Sequence, residues 1–247
     1  MAALLNLSKY SESKSIIVNN GDLGLVVGVL KNGIKMEARQ HAVAILFYLS
    51  SVEEYLRLIG NNPDAIPLLV ELIRVGDDLG KKNALVAIDG LLMLPSNHYR
   101  MLEGRLVSLL VTLLDSQESQ DLMVDSLAVL SALAEKHDGA KSILRTRALF
   151  TIVKVLCSSK SDCSRFRGEH CISLLLSLCI NGGREVIEVL VMRTSLMGAL
   201  YCFLTDGTSR ASKKANSIIS ILHEYSKRGS TPSMPHSLPH SNFIHVW

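Results

Sequence analysis

Apolar residues recur along this chain in helical groups, and the groups themselves recur. Leu7, Leu49, Leu91, Leu133, Leu178 and Leu222 form a ladder with separations of 42, 42, 42, 45 and 44 residues. Three residues before each stand Leu4, Leu46, Ile88, Leu130, Leu175 and Ile219, and four before stand Ala3, Ile45, Ala87, Val129, Leu174 and Ile218. Seven before, the residue is always small: Ala42, Ala84, Ser126, Cys171 and Ala215. Offsets of three, four and seven share one face of a 3.6-residue helix, and a small residue at the far end lets a neighbouring helix approach closely. The pattern therefore predicts one long helix per period, buried along a single stripe.

A second apolar helix precedes each ladder helix: "LGLVVGVL" from Leu23, "IPLLVELI" from Ile66, "LVSLLVTLL" from Leu106, "LFTIVKVL" from Leu149 and "LMGALYCFL" from Leu196. Polar loops such as "RVGDDLG", "DSQESQ" and "TDGTSR" join the two, rich in the residues that form turns. A shorter segment follows each ladder helix, with the patterns "SKSII", "LRLI", "YRML", "AKSIL" and "REVIEVL". Asp64 ahead of Ile66 and Pro67 reads as a helix cap with proline in the first turn.

One short and two longer helices every 42 residues or so are the signature of armadillo or HEAT stacking, and the three-helix unit favours armadillo. The expected fold is all-α: a right-handed superhelical armadillo solenoid over residues 1–228. It holds a partial repeat over 1–20 and five units behind it, the last without a closing short helix. The Pro-, Ser- and His-rich stretch 229–247 is expected to be a disordered tail. That stretch carries His236, His240 and His245, and its apolar end Phe243, Ile244, Val246 and Trp247 is suited to folding back on the solenoid or to docking.

Composition fits this architecture: 48% of residues are hydrophobic but only 5% aromatic, so Leu, Ile, Val and Ala must fill the core. A net charge of +3 is too weak a field to imply nucleic acid. The five cysteines, at 157, 163, 171, 179 and 202, include no CxxC pair and read as buried thiols of a reducing compartment, the cytoplasm or nucleus. Cys171 and Cys179, with His170 beside the first, fall on packing positions, so no metal or other cofactor is expected. Cys157 and Cys163 bracket a loop where redox chemistry is conceivable. Apolar runs such as that in "CISLLLSLCI" fall short of the roughly 18 residues of a membrane span, so no transmembrane segment is expected. The opening "MAALLNLSKY" lacks the basic start of a secretory signal. Motifs for hydrolases, phosphate-binding loops, zinc peptidases and dinucleotide binding are missing, and no residue is assigned a catalytic role.

The stretch "GKKNALVAIDGLLML" leads an apolar helix with two lysines, and its interior holds one aspartate. Arg39, Arg165 with Arg167, and Lys213 with Lys214 occupy similar places to Lys81 and Lys82 in three other units. Cations at a helix N-terminus are slightly unfavourable, so something must offset the cost. Stacking would align them as a basic stripe suited to an acidic or phosphorylated partner segment, interrupted in the third unit by Asp121. The plainer reading makes them solvated ends that keep an oily repeat soluble.

The segments "ARQHAVAILFYLSSVEEYLRLIG" and "AIPLLVELIRVGDDLGKKNALVAIDGLLML" resemble the armadillo region of plant U-box ubiquitin ligases, in which a Gly-Lys-Lys lead into the long helix is common. "ALLNLSKYSESKSIIVNNG" resembles the end of one such repeat, and the resemblance runs from residue 1 to about 228. It implies a protein-interaction scaffold that recognises the substrate of an E3 ligase, with a ubiquitin-conjugating enzyme bound only through a U-box. No cysteine here is followed by proline, so the Cys-Pro-Ile opening of a U-box has no match, and the chain is not expected to transfer ubiquitin by itself. Its start inside a repeat, with an exposed apolar face, suggests a piece of a longer ligase. The alternative is a stand-alone armadillo protein that regulates or competes with full-length ligases. Importin- and catenin-like armadillo proteins line their groove with Asn just before the ladder position. Here that position holds Asn6, Tyr48, Gly90, Ala132, Ser177 and Ile221, which speaks against nuclear import.

Overall fold

The computed structural model describes residues 1–116, 119–158 and 162–229, with the side chains of 162–165 excepted. The expected tail beyond Gly229, with its histidines and its apolar end, lies outside the described residues. Every described element is a helix. The helices alternate as the periodicity predicts; grouped with the short helix first, a lone helix α1 (Ala2–Ser8) is followed by five three-helix units. The first is α2 (Ser11–Asn19), α3 (Asp22–Asn32) and α4 (Met36–Leu49), and the second α5 (Glu53–Asn61), α6 (Ala65–Val75) and α7 (Asp78–Leu92). The third is α8 (His98–Glu103), α9 (Leu106–Asp115) and α10 (Gln120–Ala134), with a 3₁₀ turn over Pro95–Asn97 ahead of it. The fourth is α11 (His137–Leu144), α12 (Ala148–Ser158) and α13 (Asp162–Asn181), and the fifth α14 (Arg184–Val191), α15 (Thr194–Asp206) and α16 (Ser209–Gly229).

The ladder helices stack in chain order, α1 on α4, then α7, α10, α13 and α16. Five ladder leucines, Leu49, Leu91, Leu133, Leu178 and Leu222, are at most 2% exposed, and the small residues seven positions earlier are fully buried. Ser126 is the polar member of that small set, and it satisfies its hydroxyl by donating to the Leu122 carbonyl at 2.6 Å. Burying such a leucine stabilises the fold by about 1.5–3 kcal/mol each. Leu7 holds the same register and is 50% exposed, because no helix lies beyond α1 among the described residues. Each unit covers its apolar stripe only against its neighbours, as solenoid stacking requires.

Two local features differ from expectation. Asp64 stands at the N-cap of α6 but its side chain makes no capping bond; it pairs instead with Lys31 at 2.9 Å, tying α6 to α3. In the third unit the chain turns through buried Asn97, whose Nδ2 donates to the Leu91 carbonyl at 2.9 Å and closes the end of α7. Gly60 makes room for it, since an added Cβ would lie 2.0 Å from Asn97 Oδ1.

Candidate interaction face

The sides of the ladder helices turned away from the core form one continuous face. Its middle row is the position before each ladder leucine: Asn6 is exposed, and Tyr48, Gly90, Ala132, Ser177 and Ile221 are half-buried. On α4, Phe47 joins Tyr48 as an aromatic pair with centroids 5.3 Å apart. On α13, Phe166 packs edge-on to His170 at 4.9 Å. A separate cleft of about 170 Å³ lined by Leu30, Lys31, Arg39, Leu68, Glu71 and Leu72 lies between α3, α4 and α6, below the roughly 300–1,000 Å³ typical of small-ligand sites.

The cations read from the sequence are given separate work by the structure. Lys82 Nζ donates to Asp121 Oδ2 at 2.7 Å, so the carboxylate that interrupts the stripe neutralises the lysine one unit earlier. Asp77 caps α7 by accepting from the Gly80 amide at 2.9 Å, and Asp78 adds negative charge to the first turn, which offsets the cost of Lys81 and Lys82 near that end. Arg39 turns to the C-terminus of α3, donating from Nε to the Gly33 carbonyl at 2.9 Å and from Nη2 to that of Lys31 at 3.2 Å. Carbonyls at a helix end are where a guanidinium is favourable. Arg167 reaches back to Met123 Sδ at 3.4 Å, and Lys214 donates to Ser173 Oγ at 2.7 Å on the preceding ladder helix. Lys213 is exposed, Lys81 is half-buried, and the side chain of Arg165 lies outside the described residues.

Sequence reasoning passed over the residues between these cations. Asp89 on α7 and Asp125 on α10 stand on helices that pack together; Asp125 feels the charges of Lys82, Asp121 and Asp89, and Asp89 that of Glu135. Asp89 is exposed at its surface, yet protein crowds it on both sides, and poor solvation raises its carboxyl above the ordinary value; His170 pulls it back and Glu135 adds to the rise. Burial raises Asp125 as well, Lys82 opposing and Asp121 and Asp89 adding. Burial lowers His170, which keeps the ring neutral near pH 7. Asp125 Oδ2 and Ser131 Oγ, both on α10, are buried and have no hydrogen-bond partner among the described residues. The signal in the sequence was Asp89 itself: two positions before the ladder leucine stand Phe47, Asp89, Ser131, Leu176 and Ser220, and Asp89 alone is charged.

Cys171 and Cys179 pack in the core, where burial pushes both thiols up to about 12. Among the described residues no single helix is long and apolar enough to cross a membrane.

Over its whole length the chain is 45% identical to U-box domain-containing protein 18 of Arabidopsis thaliana and 43% identical to U-box domain-containing protein 19 of the same plant. The chain is a relative of the plant U-box domain-containing proteins. It spans 35% and 36% of the lengths of those two U-box proteins. No family model matches it. Its shape matches a designed armadillo repeat protein with a TM-score of 0.76 at 21% identity, over 89% of this chain and 90% of the other. A second design, described as computationally designed for modular peptide recognition, gives 0.77 at 20% identity over the same shares. This relative of the U-box proteins is thus an armadillo solenoid.

Proposed function

We propose that the chain is the substrate-recognition part of a U-box type E3 ubiquitin ligase: a protein-interaction scaffold that holds the target while a conjugating enzyme, bound to a U-box, delivers ubiquitin. What supports the reading is the alignment of the whole chain, all its repeats included, with two U-box proteins. The role fits the physics of the fold, since stacked ladder helices present a long rigid face and no small-ligand cavity is needed. Lys213, exposed at its edge, is where an acidic or phosphorylated part of the target would be held. Work in the cytoplasm or nucleus belongs to the same proposal.

A reconstituted reaction tests it. With activating enzyme, conjugating enzyme, ubiquitin and ATP, the chain alone forms no ubiquitin conjugates, whereas the chain fused to a U-box modifies the protein it captures. Ala128→Arg with Ala132→Arg, which fills the middle of the interaction face, abolishes that modification. Modification that survives the double variant rejects the reading. Conjugates formed by the unfused chain reject it too. If the unfused chain shields the targets of a full-length relative, the stand-alone competitor is the correct description.

A further inference from the structure

We infer that the edge of the solenoid formed by the turns before α9, α12 and α15 docks a phosphorylated, acidic segment of a partner protein, held by Arg105, Arg145, Arg147 and Arg193. These turns lie at the ends of the middle helices opposite the loops that lead into the ladder helices. The surface is therefore separate from the interaction face and goes beyond the scaffold reading. The N-cap of the middle helix is Gly21 in the first unit and Asp64 in the second, both of kinds that suit a helix start. In the next three units the same place holds Arg105, Arg147 and Arg193, and Arg145 stands two residues before Arg147 in the same turn. A cation beside a helix N-terminus is unfavourable, so three in succession work against the fold.

The fold gives these arginines little in return. All four are exposed, and none makes an ion pair among the described residues. Arg105 and Arg193 make no side-chain capping bond, and Arg105 takes a left-handed backbone, φ 57°, although Gly104 stands next to it. Glu103, the nearest acid in the chain, is hydrogen-bonded to Tyr99. Arg193 lies over the ring of Phe150 at 5.5 Å, a contact that orients the guanidinium and leaves its charge unneutralised. Between Arg145 and Arg147, Thr146 does the local work: its hydroxyl donates to the Ile143 carbonyl at 2.7 Å and accepts from the Ala148 amide at 3.1 Å.

The spacing suits an extended segment. Helix α12 packs against both α9 and α15, so the three turns form a row. Packed helices lie about 8–10 Å apart, and three residues of extended chain span about 10 Å. Anionic groups at every third position of a peptide thus meet successive turns. The central turn, with two arginines, fits a phosphate dianion, and the single arginines on either side fit carboxylates. A short row of separate seats on a chain of net charge +3 favours such a peptide over nucleic acid.

The test uses fluorescence polarisation at low salt with the labelled heptapeptide Glu-Ala-Ala-phosphoserine-Ala-Ala-Glu and its unphosphorylated form. The full chain binds the phosphopeptide at least tenfold more tightly. Arg145→Ala with Arg147→Ala weakens it at least tenfold, and Arg105→Gly and Arg193→Ala each at least threefold. Arg57→Ala on α5, which removes the same charge elsewhere, leaves it unchanged. Arg105→Gly also relieves the left-handed backbone, so a melting curve at or above that of the parent shows that its loss of binding is not unfolding. Equal binding of the two peptides overturns the inference, as does phosphopeptide binding that survives in the Arg145 and Arg147 double variant. Tighter, arginine-dependent binding of labelled oligouridylate, or of vesicles containing phosphatidylserine, overturns it too and assigns the edge to RNA or to a membrane.

Discussion

Lys82 on α7 and Asp121 on α10, 39 residues apart in the chain, meet at 2.7 Å across the seam of two repeats. Gln40 reaches Asp77 at 2.6 Å across the previous junction, and Lys214 reaches Ser173 at 2.7 Å across the last. Polar residues early in the ladder helices thus fix the register between units, while the leucines supply most of the stabilisation. Both partners of the ion pair are substantially exposed, at 45% and 70%, so its net contribution is small. Lys82→Glu and Asp121→Lys are each expected to lower the melting temperature slightly, and the double reversal to recover most of the loss. A double variant that melts below both single ones would show that the pair does not interact as described.

Leu133 and Leu7 hold the same register, but the first is fully buried and the second half exposed. Leu133→Ala is expected to cost about 2–5 kcal/mol, the range for emptying a closed core. Leu7→Ala should cost under about 1 kcal/mol, because little apolar surface is lost from contact. Urea melts of the two variants check the contrast, and equal losses would mean that α1 is covered in solution.

Helices, their order and the stacked faces were legible in the sequence because burial repeats. Leu, small residue and paired aliphatics return at fixed offsets, and every copy reports the same packing. The site was less legible because it is carried by differences between copies. Arg39, Lys82, Arg167 and Lys214 look alike along the chain, yet one closes a helix end, one pairs with a carboxylate, and two reach across to the preceding ladder helix. Which it does depends on a neighbour 6 to 44 residues away that no local pattern names. Asp89 was visible as a single charge in an apolar run, but its meaning came only from Asp125 on the adjoining helix.

Gly60 and Asn97 are in close contact, and the second is 2% exposed. Gly60→Ala places a methyl where the Asn97 amide sits, and overpacking of this kind costs about 1–3 kcal/mol. Removing Asn97 alone would free the Leu91 carbonyl that it satisfies. Thermal melts should show Gly60→Ala and Asn97→Ala both destabilised, with the double variant losing less than the sum.

Cys202 is exposed, whereas Cys171 and Cys179 are buried with thiols raised to about 12. Thiolate is the reactive form, so a maleimide at neutral pH should label Cys202 and spare both core thiols until denaturant is added. Mass spectrometry of the labelled peptides reads this directly. Labelling of Cys171 as fast as Cys202 would place α13 outside the core.

Asp125 makes the stability of the free protein depend on pH in a definite direction. Its carboxyl is raised above the ordinary 3.8, chiefly by burial, so the folded state holds the proton more tightly than the unfolded chain. Stability from this group is therefore fully present below the unfolded value and is lost as pH climbs through the folded one. At neutral pH the charged form is a burden on the fold, and Asp125→Asn removes it. The variant should melt higher than the parent at pH 7, with the gap shrinking as pH falls through the folded value and closing below about 3, where the carboxyl is protonated in both states. Neutralising Asp125 also relieves Asp89 across the seam, so Asp89→Asn in that background should gain less than it does alone. A gap that stays constant across this range would mean that the carboxyl is not the titrating cause, and a variant that melts lower at pH 7 would mean that the seam is already compensated.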